Sequence, residues 1–215
     1  MGREFLDLFE EWAETYDDTV MGVDPQYRAV FANYNDILNE VANASNGAVL
    51  EFGVGTGNLT KKLLEAGHDV IGIEPSEAMR EIALEKFPDL TLLEGDFITF
   101  PEVKSADSIV STYAFHHLTD SEKEIAVGNF SVILPPGGKI VFGDTMFESE
   151  AVKKKFIKQA CDKEYLNLAE DLKREYYPTR DTMERIFAIH NFDVTFKQMN
   201  EFVWVVTGTK VKESV

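Results

Sequence analysis

The chain reads as an α/β protein built on a Rossmann-like, doubly wound sheet, and three observations carry that expectation. From residue 48 onward, short apolar runs alternate with amphipathic helical stretches, the pattern of βαβ units around a parallel sheet with helices on both faces. The run Ala48-Val49-Leu50-Glu51-Phe52 feeds straight into Gly53, Gly55 and Gly57, and helical spacing resumes at Leu59. The last two apolar runs, about 193–198 and 202–209, are separated only by Met199-Asn200-Glu201. That is too short for a parallel crossover, so they are expected to form an antiparallel hairpin. A length of 215 residues with 44% hydrophobic content fits a single domain, 1–215, with one sizeable core.

Taken in order, Phe5, Leu8, Phe9, Trp12 and Tyr16 recur at helical spacing against Glu4, Asp7, Glu10, Glu11 and Glu14. Asp24-Pro25 then opens a second helical pattern that runs through Tyr27, Val30, Phe31, Tyr34, Ile37, Leu38 and Val41. Residues 1–45 are thus expected to be a helical N-terminal cap. Strands are expected at 48–52, 69–73, 90–94, 108–111 and 139–144, and helices at 59–65, 76–86 and 121–133. Between the fifth strand and the hairpin lies an insertion, about 145–178, with charged helical sequence and the aromatics Phe147, Phe156, Tyr165, Tyr176 and Tyr177. It starts from the carboxyl end of a strand, where doubly wound sheets bind ligands, so it is expected to act as a helical lid. Lys153-Lys154-Lys155 fits a solvated helix face.

The glycine turn carries the chemistry. Glycine lets the backbone take positive φ and approach a ligand with no Cβ in the way. The spacing is G-x-G-x-G after an acid, Glu51, and not the G-x-G-x-x-G that cradles a pyrophosphate. A carboxylate there repels phosphate and accepts hydrogen bonds from an ammonium group, so an amino-acid moiety fits. The second strand ends in Glu74, about 20 residues beyond the glycines, placed to grip vicinal ribose hydroxyls and to reject a 2′-phosphate. The third ends in Gly95-Asp96-Phe97, an acceptor for an adenine amino group followed by a ring to cover the base.

These stretches resemble the class I S-adenosylmethionine (SAM) dependent methyltransferases. Glu51-Phe52-Gly53-Val54-Gly55-Thr56-Gly57 is similar to the family's first motif, Glu74 to its ribose-binding acid and Asp96-Phe97 to its adenine pair. Asp107 to Leu118 is similar to the fourth-strand motif, and Leu134-Pro135-Pro136-Gly137-Gly138-Lys139 to the turn before the fifth strand. The matches cover about residues 45–145. Trp12-Ala13-Glu14-Thr15-Tyr16-Asp17 further resembles the opening segment of bacterial small-molecule methyltransferases. The resemblance implies the strand order 3-2-1-4-5-7-6 with the last strand antiparallel, SAM as cofactor, and a pocket shared by the N-terminal cap and the lid. It also implies that Tyr16 faces the methionine carboxylate. The implied reaction is in-line transfer of the SAM methyl to a small-molecule thiol, hydroxyl, amine or carboxylate. Its demands are alignment, water exclusion and, for some acceptors, a general base. The base candidates are His117, then His116 and Tyr113, an ordinary imidazole pKa of about 6.5 suiting transfer near neutral pH. A non-catalytic SAM-binding protein and a nicotinamide-dependent oxidoreductase are the alternatives. The second lacks its G-x-x-G spacing here.

Charge and composition narrow the partners. Thirty-eight acidic against 21 basic residues give a formal net charge of −17, which opposes a nucleic-acid backbone. The single Cys161 suits a reducing cytoplasm and reads as a small buried hydrophobe. No apolar run of 18 residues appears, so no membrane partner is expected, and the chain should be a monomer or homodimer. His68 and His190 sit in turn-like contexts and look structural. No metal is expected, because no Cys/His/Asp cluster has ligand spacing along the sequence.

Overall fold

A computed structural model describes residue 20 and residues 24–211. The described elements run α1 (Tyr34–Ala44), β1 (Ala48–Phe52), α2 (Asn58–Glu65), β2 (Asp69–Glu74), α3 (Glu77–Lys86), β3 (Thr91–Glu94) and β4 (Ser108–Thr112). After a 3-10 turn at Phe115–His117 come α4 (Asp120–Ile133), β5 (Lys139–Thr145), α5 (Glu150–Asp162), α6 (Leu166–Arg174), α7 (Arg180–Ile189), β6 (Phe192–Gln198) and β7 (Val203–Lys210). The strands form one sheet in the order β3-β2-β1-β4-β5-β7-β6. β7 is antiparallel to both its neighbours. Fold class, order and hairpin match the expectation, with element ends shifted by a residue or so.

Period-two alternation gives the sheet two packed faces. Leu50 and Phe52 of β1, Ile109 of β4, and Ile140 and Phe142 of β5 join one cluster with Phe97, Phe115 and Phe130. Val49, Val110 and Val141, the intervening residues, join α1 and α2 through Leu38, Val41, Leu59 and Leu63 on the other. Burial of each such side chain is worth about 1.5–3 kcal/mol, so a one-residue register slip in any central strand would forfeit several of them. α1 lies close against β5: a Cβ at Gly143 would meet Ile37 and Val41 at 3.0 Å.

One sequence expectation fails within the described residues. The stretch from Asp24 is not a continuous helix; residues 24–33 are turns, and the helix starts at Tyr34. Asn33 sets the break: its backbone is left-handed at φ 62°, a region Asn tolerates better than most residues but one that no α-helix can pass through. The turns bring Tyr27 and Phe31 against the insertion. Val30, Phe147, Ala160, Leu168, Leu172, Phe202 and Val203 form a third cluster that binds N-terminal segment, insertion and hairpin together.

Asn200 at the hairpin tip joins the first and last of these. Its Nδ2 donates to the carbonyls of Val30 and Ala32 at 2.9 and 2.7 Å, and its Oδ1 accepts from the Phe202 and Val203 amides at 2.8 and 2.6 Å. Asn200→Ala strands four half-buried backbone groups and should cost about 2 kcal/mol in urea denaturation, lowering Tm by about 4–8 °C. The Asn200→Asp variant, which keeps the two acceptor bonds, should lose less.

Candidate functional site

The glycine turn leaves the carboxyl end of β1 and enters α2 with Gly53, Gly55 and Gly57 all left-handed, at φ 66°, 56° and 88°. The three glycines are there for different reasons. A Cβ at Gly53 would strike that of Ala114 at 2.8 Å, and one at Gly57 would strike the Phe87 ring at 2.8 Å, so both serve the protein's own packing. A Cβ at Gly55 meets nothing within 4 Å, which makes Gly55 the one that presents bare backbone outward. Glu74, buried at the end of β2, holds this turn: its Oε2 accepts from the Gly55 amide and its Oε1 from the Ser76 amide, each at 2.9 Å.

Glu51 lies beneath the same turn, 1% exposed. Its Oε2 accepts from Thr60 Oγ1 at 2.6 Å, while Oε1 is buried with no hydrogen-bond partner among the described residues. Burial pushes its pKa up to about 8; the Thr60 bond opposes the rise and the neighbouring Glu74 charge adds to it. A buried acceptor left without a donor is costly, and an ammonium group is the donor that would satisfy it. Unpartnered Glu51 Oε1, the anchored Glu74 and the open face of Gly55 together fit the amino-acid and ribose parts of SAM.

The third strand's contribution differs from expectation at its aromatic ring. Asp96 Oδ1 accepts from the Ile98 and Thr99 amides at 2.8 and 2.9 Å, an Asx turn that fixes its own loop. The Phe97 ring does not face outward to cover a base. It is buried, stacked on Phe52 with centroids 5.3 Å apart and edge-on to Phe115 at 5.4 Å. Sequence spacing could not distinguish a core ring from a covering one at a strand end.

The ends of β4 and β5 carry the densest electrostatics. Tyr113 follows β4 with φ 54°, a strained position for a bulky residue, and its ring packs on Phe31 and Tyr34 at 5.1 and 5.5 Å. Tyr34 accepts at 3.3 Å from Asn58, at the glycine turn, so this aromatic group reaches toward Gly55's side of the site. His116 is tied at both ends. Its Nδ1 lies 2.6 Å from Asp144 Oδ1 and its Nε2 3.3 Å from Glu175 Oε2, while its backbone amide donates to Asp144 Oδ2 at 2.9 Å. Tyr177 donates to Glu175 and stacks on the His116 ring at 4.8 Å, and the Tyr176 amide donates to the His116 carbonyl at 3.1 Å. Tyr27 likewise donates to Asp171, one turn before Glu175.

This setting revises the expected base. Burial works against a charged His116, but Asp144 and Glu175 outweigh it and lift its pKa to about 10. His117 goes the other way: burial, then the neighbouring His116 charge, lower it to about 3. Neither imidazole titrates near neutrality. One keeps its proton and the other is too weakly basic to take one readily. For Tyr113, burial and then the nearby Tyr34 and Asp144 push the phenol well above its ordinary value, so it is no base either.

Asp144, Asp171, Glu175 and Tyr27 were not singled out from sequence. The Asp144 signal was present: it ends an apolar strand in an acid, as Glu51 and Glu74 do. Glu175 and Asp171 lay in charged helical sequence with nothing to mark them. Tyr16 and the helical pattern at residues 5–16 lie outside the described residues. The chain also places one ligand atom each from His116, His117 and Glu175 within 4.8 Å of one another, a grouping that ligand spacing along the sequence could not reveal.

Glu51 generates a test that needs no ligand. Its carboxyl is raised from about 4.5 to about 8 in the folded state, so the folded chain binds the extra proton between those values. Stability from this group is therefore full below pH 4.5 and is lost as pH rises through 8. Subtracting the denaturation free energy of Glu51→Gln from that of wild type, from pH 5 to 8.5, should give a difference that falls steadily with pH. A flat difference would contradict the buried, proton-hungry carboxyl.

Comparison with known proteins bears on this arrangement. A family model described as a methyltransferase domain matches residues 49–138, from β1 to the turn before β5. An uncharacterized methyltransferase of Oceanobacillus iheyensis is 58% identical over 98% of this chain and all of its own length. Among solved structures, the magnesium protoporphyrin IX methyltransferase of Synechocystis with bound S-adenosylhomocysteine superposes with a TM-score of 0.74, at 14% identity, over 95% of this chain and 97% of its own. A SAM-bound amino pentose methyltransferase of Micromonospora echinaspora superposes with a TM-score of 0.61, at 18% identity, over 89% and 94%. With the relative matched end to end and the glycine turn, sheet order and acidic strand ends all in place, the chain belongs to the SAM-dependent methyltransferase family.

Proposed function

We propose that this enzyme transfers the SAM methyl to a small-molecule acceptor held between the carboxyl ends of β4 and β5 and the insertion, which acts as a lid. The observation that carries the reading is the way the insertion comes down on the 3-10 turn: Glu175, Tyr176 and Tyr177 all contact His116. An insertion packed so closely on the strand ends favours a small acceptor over a polymer, and the net charge of −17 adds to the case against nucleic acid. The magnesium protoporphyrin and amino pentose methyltransferases, both acting on small molecules, share the fold and support the same class. Among the described residues no helix is long and apolar enough to cross a membrane; Cys161 is exposed on α5 and not the buried hydrophobe expected, and a free thiol so placed suits the reducing cytoplasm we assign to it.

In this reading Glu51 Oε1 takes the ammonium of the methionine moiety and Glu74 takes the ribose hydroxyls while keeping the turn amides. Asp96 and the backbone after it flank the adenine, with Gly53 and Gly57 shaping the turn that Gly55 presents. When bound, SAM supplies a methyl group activated by its sulfonium, which a nucleophile displaces in line. The chain's own work is alignment and dehydration, and effective molarities of about 10⁵ M and above are available from alignment alone. Phe31, Tyr34 and Tyr113 exclude water beside the turn. His116 holds its proton between Asp144 and Glu175 and so fixes the lid's approach, while His117 presents a neutral imidazole on the acceptor side.

Two measurements test this. Glu74→Ala should weaken both SAM and S-adenosylhomocysteine by about 10- to 100-fold in calorimetry, since charge-assisted bonds of about 1.5–3 kcal/mol are lost and both ligands share the ribose. Equal affinity in a folded variant would refute the ribose assignment. Incubation with methyl-labelled SAM and a panel of thiols, hydroxyls, amines and carboxylates should release S-adenosylhomocysteine with at least one acceptor. SAM binding with no transfer to any extract fraction would instead make the protein a SAM-responsive binder.

A further inference from the structure

We propose that His116, His117 and Glu175 form a binding site for a divalent transition-metal ion or zinc, with Asp144 as the outer carboxylate that orients His116. The claim deepens the small-acceptor reading, since the site stands where that reading puts the acceptor, but metal binding itself requires neither SAM nor acceptor.

The argument begins with His116. A histidine that binds a metal through one ring nitrogen commonly donates the other N–H to a carboxylate, which fixes tautomer and ring orientation. Nδ1 is committed in this way at 2.6 Å from Asp144 Oδ1. Asp144 is itself fixed, accepting from the His116 amide at 2.9 Å and the Thr145 amide at 2.7 Å. That leaves Nε2 as the coordinating atom, and it faces Glu175 Oε2 across 3.3 Å. This separation is long for an ion pair so buried. It matches the edge of a metal tetrahedron, because two bonds of about 2.05 Å at the tetrahedral angle put their ligands about 3.3–3.4 Å apart. The third ligand is a ring nitrogen of His117, whose centroid is 4.1 Å from that of His116, and all three ligand atoms fall within 4.8 Å of one another. A modest turn of the His117 ring closes the remaining gap.

The supports around the cluster come from the segment directly after α6. Tyr177 donates to Glu175, the Tyr176 amide donates to the His116 carbonyl at 3.1 Å, and the Glu175 amide donates to the Asp171 carbonyl at 2.9 Å. Lys123 donates to the Leu118 and Tyr176 carbonyls and lies 3.8 Å from Asp120. Two imidazoles and one carboxylate suit zinc and its transition-row neighbours better than magnesium or calcium. Three protein ligands leave at least one position open. An acceptor with an oxygen or sulfur donor, a hydroxyl, carboxylate or thiol, could take it.

The test uses the full chain, stripped with a chelator and dialysed, titrated with ZnCl₂ and MgCl₂ by calorimetry at pH 7.5, with SAM affinity and thermal melting measured on the same samples. One equivalent of Zn²⁺ should bind with micromolar or tighter Kd, Mg²⁺ far more weakly. His117→Gln and Glu175→Gln should each weaken Zn²⁺ at least ten-fold, and Asp144→Asn about 10- to 100-fold. Long-range histidine ¹⁵N spectra supply a signature that folding defects do not imitate: His116 Nε2 should move to the shift of a metal-bound nitrogen on adding Zn²⁺, with the proton kept on Nδ1. Unchanged Zn²⁺ affinity in folded His117→Gln and Glu175→Gln, a His116 Nε2 that does not shift at saturating Zn²⁺, or preference for Mg²⁺ would each overturn the site. Because SAM affinity is read in parallel, these results fall on the metal alone; loss of SAM binding in the wild type would instead strike the cofactor reading.

Discussion

The bond between His116 and Asp144 is the joint on which the working end of this molecule depends. β5 is paired on both sides within the sheet, so a carboxylate at its end is a fixed point. His116 is hung from that point by side chain and backbone together, and the backbone of the insertion is hung in turn from His116. Remove the imidazole and three elements lose their common reference: the fourth-strand turn, the segment 175–177 and the end of β5. A buried ion pair is seldom a net source of stability, because desolvation offsets most of the attraction. Its value here is geometric. It specifies where the insertion sits relative to the strand ends, which apolar contacts in the Phe147 and Phe202 cluster would tolerate in several arrangements.

The same economy governs the cofactor side. Glu74 ties the glycine turn to the start of α3 by accepting one amide from each, so the turn that must meet a ligand is held before any ligand arrives. Glu51 is left deliberately unfinished, with one oxygen bonded to Thr60 and the other bare in a buried place. A fully satisfied carboxylate there would make a more stable protein and a poorer binder. The cost is local and is carried by a core whose sheet is packed on both faces.

Much of the fold was legible because its signals are local. Alternation of apolar residues in β1, β4 and β5, the glycine turn and the three-residue connection of the hairpin each depend on a few consecutive residues, and they fix order and direction through general rules of chain connection. The site was legible only in part. Glu51, Glu74 and Gly55 announce themselves at strand ends, but the roles of the neighbouring glycines depend on Ala114 and Phe87, some 30 to 60 residues away, which spacing cannot supply. Phe97 was misread because burial of a ring at a strand end is decided by what stacks on it. The histidine pair was found as chemistry but its basicity was out of reach, since pKa is a property of surroundings and the carboxylates beside it, Asp144 and Glu175, come from other elements. Asn33 was missed because one left-handed residue interrupts a helical pattern without disturbing its apolar period.

A last question is why this edge of the sheet can hold so many carboxylates in a chain already so acidic. Glu51, Glu74 and Asp144 all end parallel strands, and a parallel doubly wound sheet brings the N-termini of the following helices to that same edge. Each N-terminus carries unpaired amides and roughly half a positive charge. The Gly55 amide on Glu74 comes from the turn into α2, the Ser76 amide from the cap of α3, and the His116 and Thr145 amides on Asp144 from turns after β4 and within β5's end. Glu74 and Asp144 thus have their charge met by backbone before any side chain is counted, while Glu51 has one oxygen on Thr60 and the other bare. The architecture itself supplies a field that favours anions at the strand ends, and the sequence uses it to bury acids there, where a cationic ligand would then find them already in place.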